Sequence, residues 1–180
     1  MADTERTITA CLTLLADNTT GDISAQDVRD TVVSLVSHKA EIYVATPAAT
    51  TVSAVSTWYK MAGATSSGVI SGHYTHPSDG RVTHTGTVTR TNLIQAVVSF
   101  TCASANQDVW ISVYKSGTIV DSSIQKHKVG ASGDISSTYI QCLVSLAEND
   151  YVEVYVLNDT SAANVTAVAM NLIAIEAPTT

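Results

Sequence analysis

Residues 93–120 read LIQAVVSFTCASANQDVWISVYKSGTIV, and the fold turns on how they are parsed. Ile94, Ala96, Val98, Phe100 and Cys102 fall at every second position, which puts five apolar side chains on one face of an extended strand. The polar run 103–108 interrupts the pattern. Val109, Ile111 and Val113 then resume it, with Trp110, Ser112 and Tyr114 on the opposite face. Lys115, Ser116 and Gly117 close the second strand, because a glycine admits the positive φ that a tight hairpin needs. A third strand begins at once. No loop in this stretch offers a nucleophile, a base and oxyanion donors together, so the chemistry of the chain is expected in its surfaces and not in a reaction centre.

The same alternation continues outward. Ile140, Cys142, Val144 and Leu146 form one apolar row, and Val152, Val154 and Val156 another, with Tyr151, Glu153 and Tyr155 on the reverse side. The last strand, 165–175, is apolar on both faces and belongs inside a sheet or an interface. Upstream, residues 58–61, 69–74, 81–85 and 87–90 read as short strands around the turn at Pro77, Asp79 and Gly80, while Gly63 to Gly68 reads as a loop. Eight to ten short antiparallel strands fit a sandwich or jelly roll.

The first forty residues differ in kind. Ile8, Cys11, Leu12 and Leu15 recur at helical spacing, as do Val28, Val32, Leu35 and Val36. Ser24 and Asp27 have the spacing of a capping box. Helices this short are marginal alone in water and need a surface to lie against. The predicted architecture is therefore mainly β, an antiparallel jelly-roll sandwich over 41–180 preceded by a two-helix arm over 1–40.

Composition narrows the function. Charged residues make up only 14% of the 180, so much of the surface must be Ser and Thr or covered by a partner. A net charge of −7 without a basic stripe excludes phosphate-backbone binding, and no nucleic-acid partner is expected. No run of about 18 apolar residues crosses a membrane, and the opening residues lack the basic start and apolar core of a secretory signal. Cys11, Cys102 and Cys142 are read as buried hydrophobes of a chain made in a reducing cytoplasm, with a Cys102–Cys142 bridge as the alternative. His73, His76 and His84 are read as loop or surface histidines and not as metal ligands, unless a threefold axis gathers three copies of one of them. The glycines of 63–68 have phosphate-loop spacing, but Val69 and Ile70 stand where Lys and Ser or Thr are required. No Gly-x-Ser-x-Gly elbow is present. Neither a cofactor nor enzymatic activity is expected.

The runs GRVTHTGTVTRTNLIQAVVSF (80–100), VWISVYKSGTIV (109–120) and LAENDYVEVYVLN (146–158) resemble, in strand order and hairpin shape, the trimeric jelly roll of the tumour-necrosis-factor and complement-head type. The likeness spans roughly residues 58–176. The opening LLADNTTGDISAQDVRDTVVSLVS (14–37) resembles the amino-terminal segment of many tailed-bacteriophage virion proteins. The first resemblance implies a homotrimer with aromatic residues at the threefold contact, here Tyr114, Tyr151 and Tyr155. No Gly-X-Y stalk is present, so trimerisation would rest on the head. Together the two imply a phage capsid decoration or cement protein on the outer surface of the particle, made in the host cytoplasm. Ile8, Leu12, Leu15, Val28, Val32 and Leu35 would anchor it to the major capsid protein or another virion protein. The alternative is the receptor-binding knob of a fibre recognising host glycans; a third reading is a ligand-binding jelly roll outside any virion.

Overall fold

Two antiparallel sheets pack face to face, each with one apolar surface turned inward. The computed structural model describes residue 6 and residues 8–16, 23–35 and 38–177. Helices α1 (Ile8–Ala16) and α2 (Ala25–Leu35) lead into β1 (Lys39–Pro47), β2 (Ala49–Thr50), β3 (Trp58–Lys60), β4 (Gly63–Ile70), β5 (Tyr74–Thr75), β6 (Arg81–His84) and β7 (Arg90–Cys102). There follow β8 (Gln107–Lys115), β9 (Thr118–Ile119), a 3-10 turn (Asp121–Ser123), β10 (Gln125–Val129), β11 (Ser136–Leu146), β12 (Tyr151–Asn158) and β13 (Val165–Glu176). The first sheet runs β11-β7-β13-β1-β4, with β2 on β13. The second runs β10-β8-β12-β6-β5, with β3 on β12 and β9 on β8. The chain is a β sandwich with a short helical lead, as the alternation predicts.

The core is the inward half of each alternating strand. Ile94, Ala96, Val98, Phe100 and Cys102 of β7 are almost wholly buried. They meet Val109, Ile111 and Val113 of β8 and Val152, Val154 and Val156 of β12 across the sandwich. Each buried Val, Ile or Phe contributes about 1.5–3 kcal/mol relative to exposure, which makes this double row the main source of cohesion. The two-faced last strand lies in the middle of the first sheet, between β7 and β1. Its pairing with β7 shifts between Ala167 and Ala169, and this bulge re-phases the strand. Met170, Leu172 and Ala174 therefore point inward, while Ile173 and Ile175 are left partly exposed.

Three expectations need correction. Residues 63–68 are not a loop: β4 pairs with β1, with irregular register between Ala40 and Ile42 and between Val44 and Thr46. Glycine, alanine and serine give weak strand propensity, but an edge ladder is made by the backbone, and its small side chains have little to cover. Residues 69–74 are likewise two elements, since β4 ends at Ile70 and Gly72 turns the chain at φ +58°. Of 87–90, only Arg90 is in a strand. At the hairpin after β8, Ser116 and Gly117 both take positive φ, 46° and 83°, the conformation that matches the twist of the flanking strands.

The two helices pack on each other. Ser24 Oγ accepts the backbone N–H of Asp27 at 3.1 Å, and Asp27 Oδ2 accepts the backbone N–H of Ser24 at 2.9 Å, a completed capping box. The Ser24 hydroxyl, which donates to Asp27 Oδ2 at 2.6 Å, and then the Ser24 N–H hold the Asp27 carboxyl below its ordinary pKa. Asp30 is buried beneath Arg6, whose Nε lies 3.1 Å from Oδ2. Arg90 of β7 donates to the Arg6 carbonyl at 3.1 Å, which joins the helical lead to the sandwich.

Candidate functional site

The outward face of the first sheet is the feature least suited to water. Strand β11 carries no charged residue, and the single charged residues of β7 and β13, Arg90 and Glu176, are both buried. In register across β11, β7, β13 and β1 run three rows: Leu143, Leu93, Ile175 and Lys39; Gln141, Gln95, Ile173 and Glu41; and Tyr139, Val97, Asn171 and Tyr43. Leu143 is 67% exposed and Val97 48%, and Tyr139, Tyr43 and Val69 are also exposed. Polar groups on this face bond to one another. Gln95 donates to the Tyr139 hydroxyl at 2.6 Å, that hydroxyl donates to Gln141 at 3.0 Å, and Asn171 donates to Glu41 at 2.6 Å. The surface is nearly uncharged and its polar groups bond to one another, a composition found in the central parts of protein interfaces. Sequence reasoning used only the inward half of β7 and β11; the signal for this face was the apolar content of the outward half, Leu93, Val97, Tyr139 and Leu143.

The three tyrosines lie on the second sheet. Tyr114 of β8 and Tyr155 of β12 stack at 3.9 Å with their planes 17° apart, and Trp58 packs on Tyr114 at 5.9 Å. Arg81 sits 3.7 Å above the Tyr151 ring. Between them is a buried carboxylate: Glu153 Oε1 receives Lys60 Nζ at 2.7 Å and Arg81 Nε at 2.9 Å. Burial raises the phenol pKa of Tyr155, with Glu153 adding to the shift, and burial raises that of Tyr114, with Tyr155 and Asp121 adding. The rings are thus half-buried within the chain itself.

Of the helical stripe, Leu12 is 60% exposed, Val28 49% and Val32 57%, whereas Cys11 is buried. The side chains of Ile8, Leu15, Leu35 and Val36 lie outside the described part. The histidines are not all surface groups. His84, on β6, is fully enclosed, and His73 bonds Glu176, while His76 reaches Thr65 at 2.8 Å and Ser67 at 3.1 Å. The three cysteines are buried and free, and burial pushes the Cys142 thiol up to about 11.

No protein-family model matches the chain, and no curated protein matches it. Solved structures do. A crystal structure of murine APRIL at pH 5.0 aligns with a TM-score of 0.55 and 11% identity, covering 79% of this chain and 100% of that one. PRD1 vertex protein P5 aligns with a TM-score of 0.47 and 13% identity, over 77% of this chain and 96% of that one. The first likeness shows a tumour-necrosis-factor-like β jelly roll. The second is weaker and adds no argument.

Proposed function

We propose that this chain is a structural protein of a phage particle, a homotrimer held to the capsid by its helical arm, residues 1–40, with the jelly roll of 41–180 as the head. The observation that carries the assembly is the outer face of the first sheet, which presents exposed Leu143, Val97 and Tyr139 and no charge across β11, β7 and β13. Association of copies through a closed symmetric contact would cover it. We place the trimer contact on this face in preference to Tyr114, Tyr151 and Tyr155, whose ring surfaces already pack on Trp58, on Arg81 and on one another. The virion reading rests on the resemblance of residues 14–37, joined to exposed Leu12, Val28 and Val32, which present apolar surface where an anchor would need it. Three arms on one trimer bind as a tethered set, so each contact can be weak while the whole stays attached. No catalytic role is assigned.

The test is addition of purified protein to undecorated capsids of the parent particle. Replacing Leu12, Val28 and Val32 together by Asp leaves the head folded and abolishes decoration. If the triple variant still decorates capsids with normal affinity, the arm is not the anchor. Binding of the wild-type chain to a glycan array, without binding to capsids, would establish the fibre-knob reading in its place.

A further inference from the structure

Where the helical lead enters the sandwich, three distant parts of the chain bring together two imidazoles and a carboxylate. His38 immediately precedes β1, His73 lies in the turn before β5, and Glu176 ends β13. One ligand-capable atom from each lies within 4.8 Å of the other two. His73 Nδ1 is 3.0 Å from Glu176 Oε2, and the His38 and His73 rings are 3.7 Å apart between centroids. The backbone around them is pinned, since the Glu176 N–H donates to the His38 carbonyl at 3.0 Å and the Thr85 N–H to the His73 carbonyl at 2.8 Å.

The surroundings are those of a built site. Arg90 Nε holds the other carboxylate oxygen, Glu176 Oε1, at 2.7 Å, and both side chains are almost fully buried. This fixes the direction in which Oε2 points. Two glycines make room for the rings: a Cβ at Gly72 would collide with the His38 imidazole, and one at Gly86 would come within 2.9 Å of His73 and 3.0 Å of His84. His84 supplies a further observation. Its Nδ1 lies 3.2 Å from the Ala147 carbonyl, which can only accept, so Nδ1 is the donor and Nε2 is the ring's other polar atom. That Nε2 is sealed from solvent with no hydrogen-bond partner, on a ring 6.1 Å from His73 and beside the same glycine. A buried polar atom without a partner is costly, and this one belongs to the ring that neighbours His73.

We propose that His38, His73 and Glu176 bind a divalent transition-metal ion of the zinc class. Two imidazoles and a carboxylate are a donor set that such ions favour, and hard ions such as magnesium do not. Bonds of about 2.1 Å place tetrahedral ligands about 3.4 Å apart, so the widest separation shortens by up to about 1.4 Å through side-chain rotation. Arg90 orients the carboxylate from behind, as outer partners of metal ligands do. The His73 side chain is 16% exposed, which leaves a path for the ion and a position for water. The ion is a clip: it ties the start of β1, the turn before β5 and the end of β13 at the point where the arm leaves the head.

Calorimetric titration of the chelator-treated full chain with Zn²⁺, and its visible spectrum with Co²⁺, test this. The expected result is one saturable ion per chain, a zinc-dependent rise in melting temperature that Mg²⁺ does not reproduce, and a Co²⁺ spectrum with imidazole ligation. His38→Gln and His73→Gln each weaken binding at least about tenfold, whereas His76→Gln does not. Absence of one-per-chain binding by the wild-type chain overturns the proposal whatever the variants do. So does wild-type affinity in both His38→Gln and His73→Gln, which would put the ion elsewhere.

Discussion

Glu153 shows how a single residue on an alternating strand can break the pattern for a reason. Its position on β12 belongs to the outward set with Tyr151 and Tyr155, yet its side chain is 2% exposed, with Lys60, Arg81 and the Tyr155 hydroxyl gathered on its carboxylate. An isolated carboxylate there would be driven to its neutral form. Two cations on one oxygen offset the desolvation. Glu153→Gln removes the charge and leaves both cations to find solvent, which they reach in part because each is about one-third exposed. The expected loss is about 3 kcal/mol, read from urea unfolding at neutral pH; an unchanged midpoint would mean the pair contributes nothing net. None of this was legible in the sequence. Glu153 reads there as an ordinary surface acid, because its partners lie 93 and 72 positions away. The same distance hid the His38, His73 and Glu176 cluster, of which only His73 stood in a recognisable motif.

At the scale of elements, what could be read was what local periodicity specifies. Strands β7, β8, β11 and β12 and the hairpin at Gly117 follow from spacing two and from turn chemistry, and α2 from its capping box. What could not be read was set by pairing: β4 became a strand because β1 offered it a ladder, and the bulge at Val168 depends on β7. The turn between β11 and β12 shows the two acting together. Glu148, Asn149 and Asp150 mark it in the sequence, and Asn149 takes φ 67°. Asp150 then locks it by accepting the Ala147 N–H at 2.9 Å, the Ser116 hydroxyl at 2.8 Å and an ion pair from Lys115 at 2.9 Å. Burial alone would raise the Asp150 carboxyl, but the bonds from Lys115, Ala147 and Ser116 outweigh it and hold the pKa below its ordinary value. A depressed folded-state pKa stabilises above the unfolded value, near 4, and that contribution disappears as pH falls through the folded value. Asp150→Asn is therefore expected to cost about 1–2 kcal/mol at pH 7. Wild type and variant should converge in urea melts as pH falls through the folded-state value. A difference that persists undiminished in acid would show that the charge on Asp150 is not what holds the turn.

For the whole molecule, the two sheets offer two different outer faces, and the choice between them decides how copies would meet. The second sheet presents tyrosines, but they are partnered by stacking, by Arg81 and by the Glu153 ion cluster. The first presents Leu143, Val97, Tyr139 and Tyr43 in rows that meet no charge across β11, β7 and β13. A chain with 14% charged residues cannot cover both sheets with ions, and most of the charges on its strands lie on the second. Alternation made the inner rows legible, but the outer rows acquire meaning only when the sheet order sets Leu143, Leu93 and Ile175 side by side. Light scattering at micromolar concentration should find three times the 18.9 kDa chain mass. Leu143→Asp with Val97→Asp would set carboxylates into a desolvated contact in every copy, where a charge without a partner is strongly unfavourable. Because both residues point away from the core, the variant should remain folded by circular dichroism while sedimenting as a monomer. Tyr151→Asp with Tyr155→Asp should do the reverse, lowering the melting temperature through the Arg81 and Glu153 cluster but leaving the trimer intact. If the tyrosine variant dissociates and the Leu143 and Val97 variant does not, the contact lies on the second sheet; if the wild-type chain is a monomer throughout, neither face assembles.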